Sequence, residues 1–358
     1  MAKAIIPIKQ GVNVRLMLIL GSTTRTSLTF SLQDRYNEPK RGSNSMKKQT
    51  TFAQDYKPQF SGHETFPLRY GWLEKAFEAV DSSGSDNNKI FSEDDAIAHF
   101  GVGKNMVAAI RFWAQVAGIL VTDGKNLDTT EFGRRLLSPD GLDPYLENAS
   151  SLWKIHWDIA SNPKHTANYW LFNVFNEPNF DRDMVLRRLN DFIDQHGWKA
   201  PTEKTLANDI AVLLANYVPS VSKRGPSEEA FNSPLTELGL IRRRSNGKYG
   251  LNWGRKPGLS NGVFLYAVCD FWERTSSANT LSIQSLLLEP GSPGRVFVLE
   301  EWELIDRLST VSDMTGDLIS WSETAGLKQL LRDGAFPPDF AENLWSLEPS
   351  AQGGTHAA

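Results

Sequence analysis

Hydrophobic residues recur with helical periodicity between residues 72 and 137. The longest stripe lies at residues 104–117, where apolar side chains three or four positions apart predict a helix with one buried face. Asp123-Gly124 is a tight-turn dipeptide that predicts a hairpin. The other predicted elements are helices through Phe77 and after Ser92, a break at 101–103, strands at 119–122 and 126–128, and a closing helix at 130–137. This order of elements is typical of a winged helix-turn-helix domain.

The rest of the chain is also mainly helical in its hydrophobic pattern. Four helices are predicted in the middle of the chain, at residues 150–159, 168–175, 182–195 and 202–217. Residues 235–251 predict a helix end followed by a β-hairpin. The last segment predicts helices at 264–272, 282–288 and 299–308, a strand at 318–320 and a closing helix at 324–331. Because this order loosely repeats the first one, we expect a second, degenerate winged helix.

The predicted fold class is therefore mainly α, with several domains. All eleven tryptophans lie between Trp72 and Trp345, so we expect the packed cores between these positions. The expected divisions are a basic, disordered extension at 1–50, a winged helix-turn-helix domain at 51–142, a helical middle domain at 143–221, a basic hairpin with a winged-helix-like C-terminal domain at 222–340, and a flexible tail at 341–358.

Composition changes this picture mainly at the N-terminus. The 358 residues have a net charge of −4 and one cysteine, which excludes an intramolecular disulfide or multi-cysteine metal site and favours the cytoplasm. Residues 1–48 carry nine basic and two acidic residues. They are either a genuine basic tail or an extension preceding a translation start at Met46. The apolar run Val14–Leu20 is too short to span a membrane, so we expect no membrane partner.

Two groups of basic and amide side chains predict contacts with double-stranded DNA. The polar face of the helix at 104–117 has no acidic residue, and in a winged helix it would enter the major groove. Residues 222–256 carry eight basic and three acidic residues. The candidates are Lys104, Asn105, Arg111 and Gln115 on the helix and Arg242, Arg243, Arg244 and Lys248 in the hairpin. The alternatives are a winged helix that binds protein and a solvated charged loop.

Candidate catalytic residues occur only in the segment at residues 60–73. The sequence has no phosphate-binding P-loop, dinucleotide fingerprint, zinc-protease helix or nucleophile elbow. His63, Glu64 and Arg69 lie within seven positions. An imidazole can act as acid or base, a carboxylate can bind a divalent metal, and a guanidinium can bind phosphate. The alternative is that His63 and Glu64 cap a helix or fix a loop.

Two motifs resemble those of an uncharacterised bacterial family whose genes lie beside DNA-sulfur modification genes. They are FSGHETFPLRYGWL at residues 60–73 and FGVGKNMV with IRFW at residues 100–113. Further matches at 141–145 and 293–297 extend the resemblance over residues 58–335. SspB-like members of this family belong to the Ssp phosphorothioation system, in which sulfur replaces a phosphate oxygen on one DNA strand.

The resemblance implies a DNA-binding protein of phage defence that nicks one strand to support sulfur insertion. As a nickase it would use Mg²⁺ or Mn²⁺, with His63 as acid or base, Glu64 as metal ligand and Arg69 on phosphate. The implied partners are a cysteine desulfurase, an ATPase and a reductase-like sulfurtransferase. The alternative is a non-enzymatic winged-helix DNA-binding adaptor or transcriptional repressor.

Overall fold

The computed structural model describes residues 52, 56–83, 89–91, 93–123, 126–220, 232–324 and 326–346, and the backbone of 13–16 and 28–31. The chain divides into two compact units, Met1–Ala53 and Gln54–Ala358. In the first unit, β1 (Asn13–Leu16) pairs antiparallel with β2 (Leu28–Ser31), and the extension expected at 1–50 stays a prediction. The register places Val14 opposite Phe30 and Leu16 opposite Leu28, so apolar residues alternate in step along both strands. The other residues of that extension lie outside the described part.

The second unit begins with the helices and hairpin that the periodicity predicts. These elements are α1 (Trp72–Ser82), α2 (Glu93–Phe100), α3 (Lys104–Val116), the antiparallel pair β3 (Leu120–Asp123) and β4 (Asn126–Thr129), and α4 (Glu131–Leu137). Ile110 and Trp113 of α3 are buried, as the apolar stripe predicts. The hydroxyl of Thr130 caps α4 by accepting a hydrogen bond from the Gly133 N–H at 2.9 Å. The residue at position 92, expected to cap α2, lies outside the described residues, and the winged-helix assignment stays a prediction.

The middle of the chain contains the four predicted helices. They are α5 (Ala149–Ser161), α6 (Thr166–Asn173), α7 (Arg182–Gln195) and α8 (Glu203–Tyr217). Trp157, Phe172 and Tyr217 are fully buried between them, so the aromatic residues of this region form core rather than exposed surface. Side chains of Asn148, Asp181 and Thr202 cap three of these helices, which accounts for where the helices begin.

The C-terminal part combines short helices with two small antiparallel sheets. A short hairpin pairs β5 (Ile241–Arg243) with β6 (Tyr249–Leu251). The following elements are α9 (Asn261–Thr275), β7 (Thr280–Ser282), α10 (Ile283–Leu288), α11 (Pro293–Val296), α12 (Glu301–Leu308), α13 (Val311–Thr315), β8 (Ile319–Thr324), β9 (Leu327–Arg332) and α14 (Phe340–Trp345). The strands form a sheet in the order β7-β9-β8. The mainly α fold class is confirmed.

Two predicted elements differ in this region. The closing helix expected at 324–331 is wrong, because residues 327–332 form β9, in which Leu330 stands opposite both Leu281 and Trp321. Pairing on both sides satisfies the backbone of this central strand and outweighs its helical apolar spacing. The expected tail from 341 begins with α14, whose Leu344 and Trp345 are buried. None of the helices in the described part of the chain is long and apolar enough to cross a bilayer.

Candidate functional site

The His63 loop, residues 61–66, has an unusual concentration of left-handed backbone. Ser61, Glu64 and Thr65 have φ values of 65°, 47° and 70°, although none of them is glycine. Gly62 has a φ of 96°, and a Cβ atom there would lie 2.7 Å from the Phe112 ring. Backbone strain of this kind persists only where the surroundings hold it, and it concentrates at functional sites.

Two polar side chains of α8 hold the His63 loop in place. The Asp209 carboxylate accepts hydrogen bonds from the Ser61 N–H at 2.9 Å and from the His63 Nε2–H at 2.7 Å. The Asn216 Oδ1 atom accepts a hydrogen bond from the Leu68 N–H at 2.9 Å. Sequence reasoning missed both residues. Both lie on the buried face of α8. Because a buried polar group requires a hydrogen-bond partner, their positions indicate contacts with another part of the chain.

His63 is buried, and both of its ring nitrogens are engaged. The Thr65 N–H donates to Nδ1 at 3.1 Å, which leaves Nε2 to carry the proton that Asp209 accepts. The ring lies between Phe112 and Trp113 of α3, with centroid separations of 5.8 and 6.5 Å. In this arrangement the imidazole determines the shape of the loop.

The other two candidate catalytic residues point to different surroundings. Glu64 is exposed to solvent, unlike its buried neighbour His63. The guanidinium of Arg69 lies 5.7 Å from the Phe66 ring centroid and 5.5 Å from the Trp72 centroid. The three residues are therefore close in the chain but have different surroundings: His63 is buried, Glu64 is exposed and Arg69 lies against aromatic rings.

A small cavity of about 20 Å³ adjoins the His63 loop. Its lining includes His63, Asp209, His165 and Asn168. The Nδ1 atom of His165 and the Oδ1 atom of Asn168 are buried without a hydrogen-bond partner among the described residues. Burial lowers the pKa of His165 to about 4, so this imidazole is neutral at neutral pH. The volume suits a single water molecule, which needs two to four polar partners.

A preformed metal site is not found in the described part of the chain. Among those residues there is no group of three or more His, Cys, Asp or Glu side chains that could hold a metal ion. Among these residues, Glu64 is therefore not part of a group of three or more such ligands. Magnesium is often bound by one or two carboxylates together with substrate phosphates, so a ligand role for Glu64 would depend on bound DNA.

The candidate DNA-contacting residues of α3 differ in exposure. Lys104 and Asn105 are exposed at the N-terminal end of the helix. Arg111 is partly buried, with its guanidinium 5.9 Å from the Phe91 ring centroid. The Gln115 side-chain amide donates to the Thr122 hydroxyl at 2.7 Å. Lys104 and Asn105 are thus more exposed than Arg111, and Gln115 has a hydrogen bond within the domain.

The basic hairpin, residues 241–251, presents a second candidate DNA surface. Arg242, Arg243 and Arg244 are exposed, and the Arg243 guanidinium lies 5.6 Å from the Tyr249 ring centroid. The Lys248 ammonium lies 4.0 Å from a carboxylate oxygen of Asp181. In the segment that connects this surface to the rest of the unit, Glu237 accepts a hydrogen bond from the hydroxyl of Tyr70, which follows the His63 loop.

Comparison with known proteins gives a family and a structural neighbour. The family model described as a protein of unknown function, DUF4007, matches residues 60–344. The chain is similar to a crystal structure of magnesium ion-bound SspB, with 31% identity, 80% of this chain and 86% of that chain covered, and a TM-score of 0.72. A second SspB crystal structure gives 30% identity, the same coverage and a TM-score of 0.71. No curated protein sequence matches this chain. The resemblance predicted from the motifs at 60–73 and 100–113 is confirmed.

Proposed function

Because this chain belongs to the DUF4007 family and is similar in structure to SspB, we propose that it is the DNA-binding component of a bacterial DNA phosphorothioation system and nicks one strand. The observation that carries the proposal is the similarity to SspB over 80% of the chain. The duplex is bound by the N-terminal end of α3 and by the basic hairpin. In this proposal residues 51–142, with α1 to α4, act as a winged helix-turn-helix domain, and residues 222–340, with the basic hairpin, act as a winged-helix-like C-terminal domain.

The proposed reaction is hydrolysis of one phosphodiester bond. The oxygen of a water molecule bonds to phosphorus, the bond from phosphorus to a sugar oxygen breaks, and that sugar oxygen leaves with a proton. Arg69 binds the phosphate oxygens and stabilises the negative charge that develops on them. A divalent ion, Mg²⁺ or Mn²⁺, would supply further stabilisation of this charge, with Glu64 as its protein ligand.

His63 can act as acid or base only if one of its two hydrogen bonds is exchanged. Its Nδ1 atom must exchange the Thr65 N–H for the reacting group, while Asp209 keeps hold of Nε2. The strained backbone of the loop makes such an exchange feasible, because strain lowers the cost of leaving the observed conformation. A cysteine desulfurase, an ATPase and a reductase-like sulfurtransferase would then be the partners that insert sulfur at the nick.

Conversion of supercoiled plasmid to open circle in the presence of Mg²⁺ or Mn²⁺ tests the proposal. The full chain should produce open circle, and Glu64→Gln should abolish it without changing thermal stability, because Glu64 is exposed. Glu78→Gln is the matched control, since Glu78 is an exposed carboxylate on the neighbouring α1. His63→Ala and Asp209→Asn should lose both nicking and stability.

The second candidate function is a non-enzymatic DNA-binding adaptor or repressor. This function is favoured because both ring nitrogens of His63 are hydrogen-bonded, as expected of a side chain that only fixes the loop. If the wild-type chain binds duplex DNA but forms no open circle with either metal, the adaptor function replaces the nickase. If Glu64→Gln nicks as well as the wild type, the metal ligand lies elsewhere.

A further inference from the structure

The turn at residues 252–256 is built around a buried ammonium group. The Lys256 Nζ atom donates hydrogen bonds to the carbonyl oxygens of Asn252 at 2.8 Å, Gly254 at 2.7 Å and Val298 at 3.0 Å. The side chains of Trp253 and Arg255, in the same turn, are exposed. Three carbonyls that converge on one cation fix the backbone of the turn, so Trp253 and Arg255 start from a rigid backbone at the surface.

Trp253 is further fixed by a buried arginine on one side of its ring. The Arg295 guanidinium carbon lies 5.6 Å from the ring centroid, and Arg295 is only 8% exposed. Its NH2 group donates to the Phe175 carbonyl at 3.2 Å, whereas its Nε atom has no hydrogen-bond partner in the described part of the chain. The Trp253 side chain nevertheless remains 40% exposed. An anchored indole with open surface loses little side-chain entropy when another ring stacks on it.

The segment that includes Trp253 is rich in basic residues. Residues 232–256, all described, contain six basic residues and one acidic residue. Burial lowers the pKa of Lys256 to about 8; the nearby carboxylates of Glu303 and Glu300 oppose this shift, and Arg242 of the basic hairpin and Arg307 add to it. The boundary of this positive surface is Glu300, whose carboxylate lies near Gly254 and accepts a hydrogen bond from the Trp302 indole N–H.

We propose that Trp253 stacks on an unpaired DNA base while Arg242 and Arg255 bind the adjoining phosphates. Proteins that bind single-stranded nucleic acid combine a basic surface with aromatic side chains in this way. A base in an intact duplex is covered by its neighbours, so the indole selects single-stranded DNA. This inference rests on the proposed function and deepens it, because it identifies the unpaired strand at a nick as a second form of DNA that the protein holds.

Fluorescence anisotropy of a labelled oligothymidylate with the full chain tests this site. Trp253→Ala should weaken binding about tenfold, because stacking of one base is worth ~1–3 kcal/mol. Trp253→Phe should retain most of the affinity, since it keeps an aromatic face. Arg255→Ala should weaken binding and lower the slope of log affinity against log salt by about 0.7, because one contact to a single-strand phosphate is lost. Binding to a blunt duplex should not change with Trp253→Ala.

The matched control is Trp302→Ala. Trp302 is 52% exposed, but it lies on α12 between Glu301 and Glu303, so its loss should leave oligothymidylate binding unchanged. Wild-type affinity in folded Trp253→Ala, or equal losses for Trp253→Ala and Trp302→Ala, would overturn the proposal. A protein that fails to nick but shows the Trp253 effect refutes only the nickase. A protein that nicks without the Trp253 effect refutes only the stacking site.

Discussion

His156 shows how one buried titratable side chain connects the sequence to the stability of the whole core. Its Nε2–H donates to the Val296 carbonyl and its Nδ1 accepts from the Tyr217 hydroxyl, both at 2.8 Å. These bonds join α5 to α8 and to α11, and they require a neutral ring. Burial lowers the pKa of His156 from 6.5 to about 4.

We predict that His156 makes the protein acid-sensitive. The unfolded chain binds more protons at this residue between pH 6.5 and 4, so the free energy of unfolding should fall by about 3 kcal/mol as pH drops through that window. Asp158, whose pKa burial raises to about 6, acts in the opposite direction below pH 6. Chemical denaturation of wild type and His156→Phe across this range isolates the histidine, because Asp158 is present in both. Parallel pH profiles would contradict the prediction.

The candidate site could be predicted only in part from the sequence. The His63 loop was recognisable from its own residues, but its two anchors, Asp209 and Asn216, lie about 150 positions further along the chain. Which loop meets which helix is decided by tertiary packing, and no local pattern in residues 60–73 specifies it. The exposure of Glu64 beside buried His63 likewise follows from left-handed backbone, which residue type alone does not predict for non-glycine residues.

Elements with strong periodicity were predicted to within a few residues, because local spacing determines them. The bounds of α7 agree with the prediction at both ends, since Asp181 caps it and its apolar stripe ends with it. The strand β9 was missed because its sequence, Leu-Lys-Gln-Leu-Leu-Arg, has helical spacing and becomes a strand only between β7 and β8. Non-local pairing of this kind leaves little trace in a single sequence.

At the element scale we predict two separable duplex-binding surfaces. Lys104→Ala with Arg111→Ala on α3 should weaken duplex binding and reduce its salt dependence, since each lost phosphate contact lowers the salt slope by about one. Arg242→Ala with Arg244→Ala in the basic hairpin should do the same. Ile110→Asp should instead unfold the N-terminal elements, because Ile110 is fully buried. Measured by anisotropy at several salt concentrations, unchanged binding in the folded α3 double variant would assign duplex binding to the hairpin.

The whole molecule combines a negative net charge with local positive surfaces. The chain carries −4 overall, and residues 286–345 carry eleven acidic and four basic residues. The acidic C-terminal part repels DNA, so a duplex would be directed towards α3 and the basic hairpin. We expect the same acidic part to contact protein rather than DNA.

We predict that the chain lacking residues 1–45 folds and functions like the full chain. Residues 1–53 form a unit of their own, and the family match begins at residue 60. The melting temperature, duplex affinity and nicking should therefore be unchanged on truncation.

Affinity is measured separately at low salt, because residues 1–48 carry nine basic and two acidic residues that can attract phosphates. A full chain with the seven basic residues of the segment 1–45 replaced by glutamine is the control. If truncation and the glutamine variant both weaken DNA binding, the basic residues of the segment contribute to DNA affinity. If truncation lowers the melting temperature, it is part of the fold.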